Sequence, residues 1–108
     1  MLRYVHFAAV VAVPAYVLAA DIDMTRITCQ ALFFEQPPES KAFITAINLQ
    51  WFSGYYHGEA GLTSIDAEKQ QKIAASVGQH CGLHRQEKVF DVYGRFFREI
   101  YQGKRANR

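Results

Sequence analysis

The chain has 108 residues, of which 50% are apolar and 20% charged, with a formal net charge of +2 and two cysteines. Residues 1–20 carry seventeen of the apolar residues and a single charge, so the other 88, with 37 apolar residues, have the composition of an ordinary small globular domain. That length excludes a second domain, a doubly wound sheet or an α/β barrel, and the supply of aromatic and branched residues excludes intrinsic disorder.

Met1-Leu2-Arg3 is a short positive start, Val5 to Leu18 is apolar apart from His6 and Pro14, and Val17-Leu18-Ala19-Ala20 closes the stretch with small residues. This is the pattern of a secretory signal peptide cleaved after Ala19 or Ala20. The stretch falls short of the roughly 20 residues of a spanning helix and contains a proline, so a stable membrane anchor is not expected. Residues 21–108 are expected to form one exported domain, most simply in a bacterial periplasm.

Asp21 to Arg26 lacks periodicity and reads as an extended or frayed arm. Thr28 is a candidate cap for a short helix that carries Leu32 and Phe33 inward, and Pro37-Pro38 forbids its continuation. Pro38 suits the first turn of a second helix with Glu39 near its positive end; Phe43, Ile44, Ile47, Trp51, Phe52 and Tyr55 mark its apolar face, and its end is predicted between Tyr55 and Gly58. Thr63 or Ser64 is predicted to open a third helix with Asp66 and Glu68 at its negative start, Ile65, Ile73, Ala74 and Val77 as its stripe, and Gly78 and Gly82 bracketing its end. Val89, Phe90, Tyr93, Phe96, Phe97, Ile100 and Tyr101 give the last helix the strongest period, followed by Gly103 and the basic tail within 103–108. No alternating strand pattern competes over any length, which predicts an all-α orthogonal bundle of about four short helices.

Cys29 and Cys81 are the only cysteines in the exported part, and an oxidising compartment lets them close into one disulfide. A loop of 52 residues would then raise the free energy of the unfolded chain by about 4 kcal/mol in the chain-entropy model. Trp51, Phe52, Phe90, Phe96 and Phe97 read first as core. The last helix nonetheless carries more large apolar residues than so small an interior readily covers, which points to an association surface.

The residues that could carry chemistry are His57, His80, His84, Glu59, Asp66 and Glu87. His80 and His84 are four apart, a metal-ligand spacing, but Gly82 is predicted to end the helix between them and the nearby thiol is expected in the disulfide, so no metal is expected and the two histidines read as solvent-exposed. A hydrolase built on His57 with Glu59 or Asp66 lacks a nucleophile and an orienting partner. GxSxG, HExxH, Walker and GxGxxG sequences are absent, and the basic tail reads as a solvated end, with neither nucleic acid nor a cofactor implied. The residues describe a small exported helical binding protein and no enzyme.

Thr28-Cys29-Gln30, the run Trp51-Phe52-Ser53-Gly54-Tyr55-Tyr56-His57-Gly58, Ile65-Asp66, and Cys81 followed by an amphipathic last helix together resemble the HdeA/HdeB family of periplasmic acid-stress chaperones. The resemblance covers nearly all of residues 21–108. It implies a four-helix fold with the single disulfide, a homodimer at neutral pH, and conversion in acid to a partly unfolded, ATP-independent holdase for denaturing periplasmic proteins. The chain carries His84-Arg85 where relatives commonly place Asn-Pro to cap the last helix, so His84 is expected to act as a pH-sensitive cap there.

The composition contains the charge change that such a conversion needs. Beyond residue 20 there are eleven basic and ten acidic side chains, a net of +1; with the carboxyls neutralised and His57, His80 and His84 protonated, the total becomes +14. Glu39, Asp66, Glu68 and Glu87, each near a predicted helix start, are expected to lose their attraction to helix dipoles in acid, and with His84 they form the expected pH-responsive set. Ile44, Ile47, Trp51, Phe52, Tyr55, Phe90, Phe96 and Phe97 are the expected dimer or client surface. The alternative is a constitutive periplasmic partner-binding module such as a toxin-immunity protein, which would engage one partner at neutral pH.

Overall fold

The structure, a computed structural model, describes residues 21–103. The signal peptide expected over 1–20 and the basic residues 104–108 lie outside the described residues. Four helices follow in order, α1 (Cys29–Phe34), α2 (Lys41–Glu59), α3 (Ala67–Leu83) and α4 (Val89–Gln102), and no strand is present among the described residues. The arm ahead of α1 is not simply extended: Asp23 accepts from the Thr25 amide and closes a 3-10 turn over Met24–Arg26.

α1 starts as its sequence predicts, with the Thr28 hydroxyl accepting from the Ala31 amide at 3.1 Å, and Leu32 buried. The start of α2 differs from expectation. Ser40 N–H donates to Pro37 O at 3.1 Å, so a turn occupies 37–40 and the helix begins at Lys41 instead of Pro38. Its end lies beyond Gly58: Leu62 N–H reaches His57 O and Gly61 N–H reaches Gly58 O, a paired closure that needs the left-handed backbone of Gly61 at φ 74°. Gly58 and Glu59 are thus helical, and only Ala60 and Gly61 form the turn.

Asp66, and not Thr63 or Ser64, caps α3. Its carboxylate accepts from the amides of Glu68 and Lys69 at 3.0 and 3.1 Å, satisfying two donors that the first turn leaves without intrahelical partners. Ile65 stays outside the helix and is exposed. α3 then runs through both Gly78 and Gly82 to Leu83, correcting the predicted stop. A helical glycine costs about 1 kcal/mol relative to alanine, and that cost is outweighed here because Ile73, Val77 and Cys81 lie on one fully buried face.

The chain crosses itself where α1 and α4 begin. Val89 N–H donates to Ile27 O, Cys29 N–H to Glu87 O, and Gln30 N–H to Arg85 O, at 2.9, 2.8 and 2.8 Å, so the orphan amides of two helix starts are satisfied by each other's lead-in segments. The Cys29–Cys81 disulfide ties this crossing to the last turn of α3. α4 packs along α3 and α2, with Val89, Val92, Tyr93 and Phe97 fully buried, and ends at Gly103 in the left-handed region, φ 70°.

The seam between α2 and α4 depends on Gly94. The Tyr56 ring lies over it, stacked 6.0 Å from Tyr93, with its hydroxyl donating to Phe90 O at 2.9 Å. A Cβ on residue 94 would stand 2.5 Å from the Tyr56 hydroxyl oxygen. Burial pushes the Tyr56 phenol up to about 12.

Candidate functional site

The apolar residues of α2 divide into two faces. Phe52 and Tyr56 point into the core, whereas Phe43, Ile47, Trp51 and Tyr55, four apart in succession, remain 68, 47, 42 and 42% exposed. Residues four apart are neighbours on a helix surface, so these side chains form one outward stripe that drifts slowly around the axis. Trp51 stacks on Tyr55 at 5.7 Å and Tyr55 contacts Phe90 at 5.1 Å, which sets the C-terminal half of the stripe on the edge of the core.

Of the residues expected at a client or dimer surface, Ile47, Trp51 and Tyr55 are exposed, while Ile44, Phe90 and Phe96 are half-buried against the core. Phe52 and Phe97 are interior, 0 and 2% exposed, in keeping with their reading as core: each is surrounded by rings, Phe52 by Trp51, Phe90 and Tyr93, and Phe97 by Tyr56, His57 and Tyr101. Phe43, a member of the predicted apolar face of this helix but not of the expected client or dimer surface, is the most exposed residue of the stripe. Its signal was present in the sequence, since it precedes Ile47, Trp51 and Tyr55 at the same interval of four.

Behind the stripe, α2 turns a polar seam inward. Ser53 O can only accept, so His57 Nδ1 carries the proton donated to it at 2.8 Å, and Nε2 accepts the Tyr101 hydroxyl at 3.0 Å. The Ser53 hydroxyl donates to Gln70 Oε1 at 3.0 Å and completes a link from α2 to α3 and α4. Burial raises the Tyr93 phenol, partly offset by its hydrogen bonds with Ser53 and Gln70. Both nitrogens of His57 are therefore engaged, Glu59 is exposed at the helix end, and Asp66 is spent on its cap, so the three do not converge.

The expected pH-responsive residues fall at different places. Asp66 is the cap of α3; its bonds with the Lys69 and Glu68 amides and the nearby Lys69 and Lys72 ammonium groups hold its carboxyl below the ordinary 3.8. Glu68 is exposed in the first turn of α3, and Glu39 is exposed ahead of α2 without reaching its first turn. His84 is the C-cap of α3, not a cap of α4, because α3 extends farther than predicted; the residue at the α4 cap position is Lys88, which makes no side-chain cap bond.

Glu87 also leaves the helix start and turns toward His80, 2.9 Å from its Nε2, with Arg95 Nη2 donating to the same carboxylate oxygen at 3.2 Å. The His80 hydrogen bond, with the charges of His80, Arg95 and His84, holds the Glu87 carboxyl below its ordinary 4.5. Arg95 Nη2 also lies 2.8 Å from His80 Nε2. Two proton arrangements share this geometry: a neutral His80 accepts from Arg95, and a protonated one donates to Glu87. His80 stacks on His84 at 4.2 Å and is only partly exposed, against the expectation of two solvated histidines.

These features define a small all-α domain, tied by one disulfide, that offers an apolar helix face at its surface. The chain belongs to the HdeA/HdeB family, whose model matches residues 2–91, a stretch with both cysteines, α1 to α3 and the first residues of α4. No curated protein and no solved structure matches the chain. Among the described residues, no helix is long and apolar enough to cross a membrane.

Proposed function

We propose that the protein is an exported, ATP-independent acid-stress holdase that binds denaturing periplasmic proteins through the outward face of α2. The observation that carries this reading is the exposed row Phe43-Ile47-Trp51-Tyr55 on a chain of the HdeA/HdeB family. At neutral pH a second copy covers the row; in acid the copies separate and the row, joined by Phe90, Phe96 and interior rings freed as α2 loosens from α4, engages client segments. The driving force is charge. Ten carboxylates balance eleven cations when ionised, and their neutralisation together with protonation of His57, His80 and His84 leaves a domain of about +14 that repels itself and stays soluble.

Asp66 supplies one local contribution with a definite sign. Its folded-state pKa lies below the ordinary 3.8, so the stability it lends α3 is fully present above that value and is lost as pH falls through the lowered one. Lys69, 3.8 Å away, and Lys72 are the facing cations, and Glu68 the neighbouring anion. The Cys29–Cys81 bond keeps the loosened chain short enough to re-close.

Sedimentation of an acid-labile client at pH 3 and pH 7 tests the reading. The protein is expected to keep the client soluble at pH 3 only, and Trp51→Ser to weaken that protection while leaving the monomer fold intact, since Trp51 is half in solvent. Equal precipitation with and without the protein overturns it. Capture of one stoichiometric partner at neutral pH, with no acid protection, would instead favour a constitutive immunity-type module.

A further inference from the structure

We propose that His80, His84 and Glu87 form a binding site for one borderline divalent transition-metal ion, of which Zn2+ is the simplest case, and that the guanidinium of Arg95 holds the cation position in competition with it. The site exists because α3 does not stop at Gly82. With the helix carried to Leu83, His80 and His84 stand one turn apart with rings parallel within 17°, and Glu87 folds back over them through a turn in which its amide donates to His84 O at 3.2 Å.

One donor atom from each of the three residues lies within 4.8 Å of the others. Tetrahedral zinc with bonds of about 2.0–2.2 Å places its ligand atoms about 3.3–3.6 Å apart. Two of the present separations are already near that value, His80 Nε2 to Glu87 Oε1 at 2.9 Å and His84 Nδ1 to Glu87 Oε2 at 3.5 Å. Closure requires His84 to rotate out of its stack on His80, so that the in-plane lone pairs of the two rings converge, with a matching rotation of Glu87; the two moving side chains are 48 and 42% exposed. Two imidazoles and a carboxylate select zinc-like ions over Ca2+ and Mg2+, which ask for oxygen ligands, and three protein donors leave a fourth position for water.

Arg95 is the second observation. A guanidinium can only donate, so with Arg95 Nη2 at 2.8 Å a neutral His80 turns a bare Nε2 lone pair to it, and Glu87 Oε1 turns another from 3.2 Å. Two lone-pair atoms 2.9 Å apart are thus held together by one shared cation. A metal ion replaces that cation with a closer and doubly charged one, and Arg95, whose side chain is 32% exposed, swings into solvent. Binding would pin the end of α3 to the entry of α4 beside the disulfide.

Calorimetric titration of the untagged mature protein with Zn2+ alone at pH 7.5 tests this. One ion per chain is expected, with affinity at least tenfold lower in His84→Ala and Glu87→Gln and higher in Arg95→Gln. His84→Ala removes only an exposed side chain, and circular dichroism confirms that it stays folded; joint perturbation of the His80 and His84 ring resonances by Zn2+ gives a readout independent of heat. Absence of saturable binding, unchanged affinity in His84→Ala, or unchanged or weaker affinity in Arg95→Gln overturns the proposal.

Discussion

Replacing Gly94 by alanine is the sharpest test of how α2 is held. On helix propensity alone the change should stabilise by about 1 kcal/mol. The structure reverses the sign. The new methyl carbon would stand 2.5, 2.7 and 3.0 Å from the hydroxyl oxygen, Cζ and Cε1 of Tyr56, the first two closer than real Cβ contacts come. The ring cannot yield easily, because Phe90, Tyr93 and Phe97 surround it at 5.2, 6.0 and 5.7 Å and its hydroxyl is bonded to Phe90 O. Overpacking of this kind costs about 1–3 kcal/mol, and displacing the hydroxyl forfeits a buried hydrogen bond of about 1 kcal/mol. After the propensity gain is subtracted, a net loss of about 1–3 kcal/mol is expected.

Urea unfolding at pH 7 followed by circular dichroism measures it, with Gly78→Ala in α3 as the control, since a Cβ there meets nothing within 4 Å and should stabilise by about 0.5–1 kcal/mol. Because Gly94 sits on the α2–α4 seam, Gly94→Ala should also move client protection to higher pH. A Gly94→Ala protein as stable as the wild type refutes the packing account of the seam.

Asp66→Asn keeps an acceptor for the α3 amides and removes the charge; its unfolding midpoint should fall at pH 7 and approach that of the wild type as pH drops below 3.8, the two meeting once pH has passed the lowered folded-state value at which Asp66 itself is protonated, as a pH series of thermal melts would show. Serine at both Cys29 and Cys81 should lower stability by about 4 kcal/mol for the 52-residue loop, read by denaturant midpoint, and should slow recovery of the folded state after return from acid.

Much of this domain is legible in its residues, where the governing interactions are local. Thr28 announces the α1 cap, Pro37-Pro38 the break after it, Gly103 the end of α4, and two cysteines leave one possible bridge. Each is decided within a turn or two of chain, by backbone donors that need partners or by a dihedral that only glycine adopts cheaply. What the tertiary structure decided is which of several locally allowed choices survives packing. Gly82 has the look of a helix stop, yet Cys81 and Val77 are clamped in the core and carry α3 past it, which brings His80, His84 and Glu87 together. α2 has apolar residues around most of its circumference, so periodicity alone could not separate Phe52, which faces α4, from Phe43, Ile47, Trp51 and Tyr55, which face solvent. That division depends on where Tyr56 meets Gly94 and where Ser53 and His57 find Gln70 and Tyr101, contacts between residues 17 to 44 positions apart that no local rule can supply.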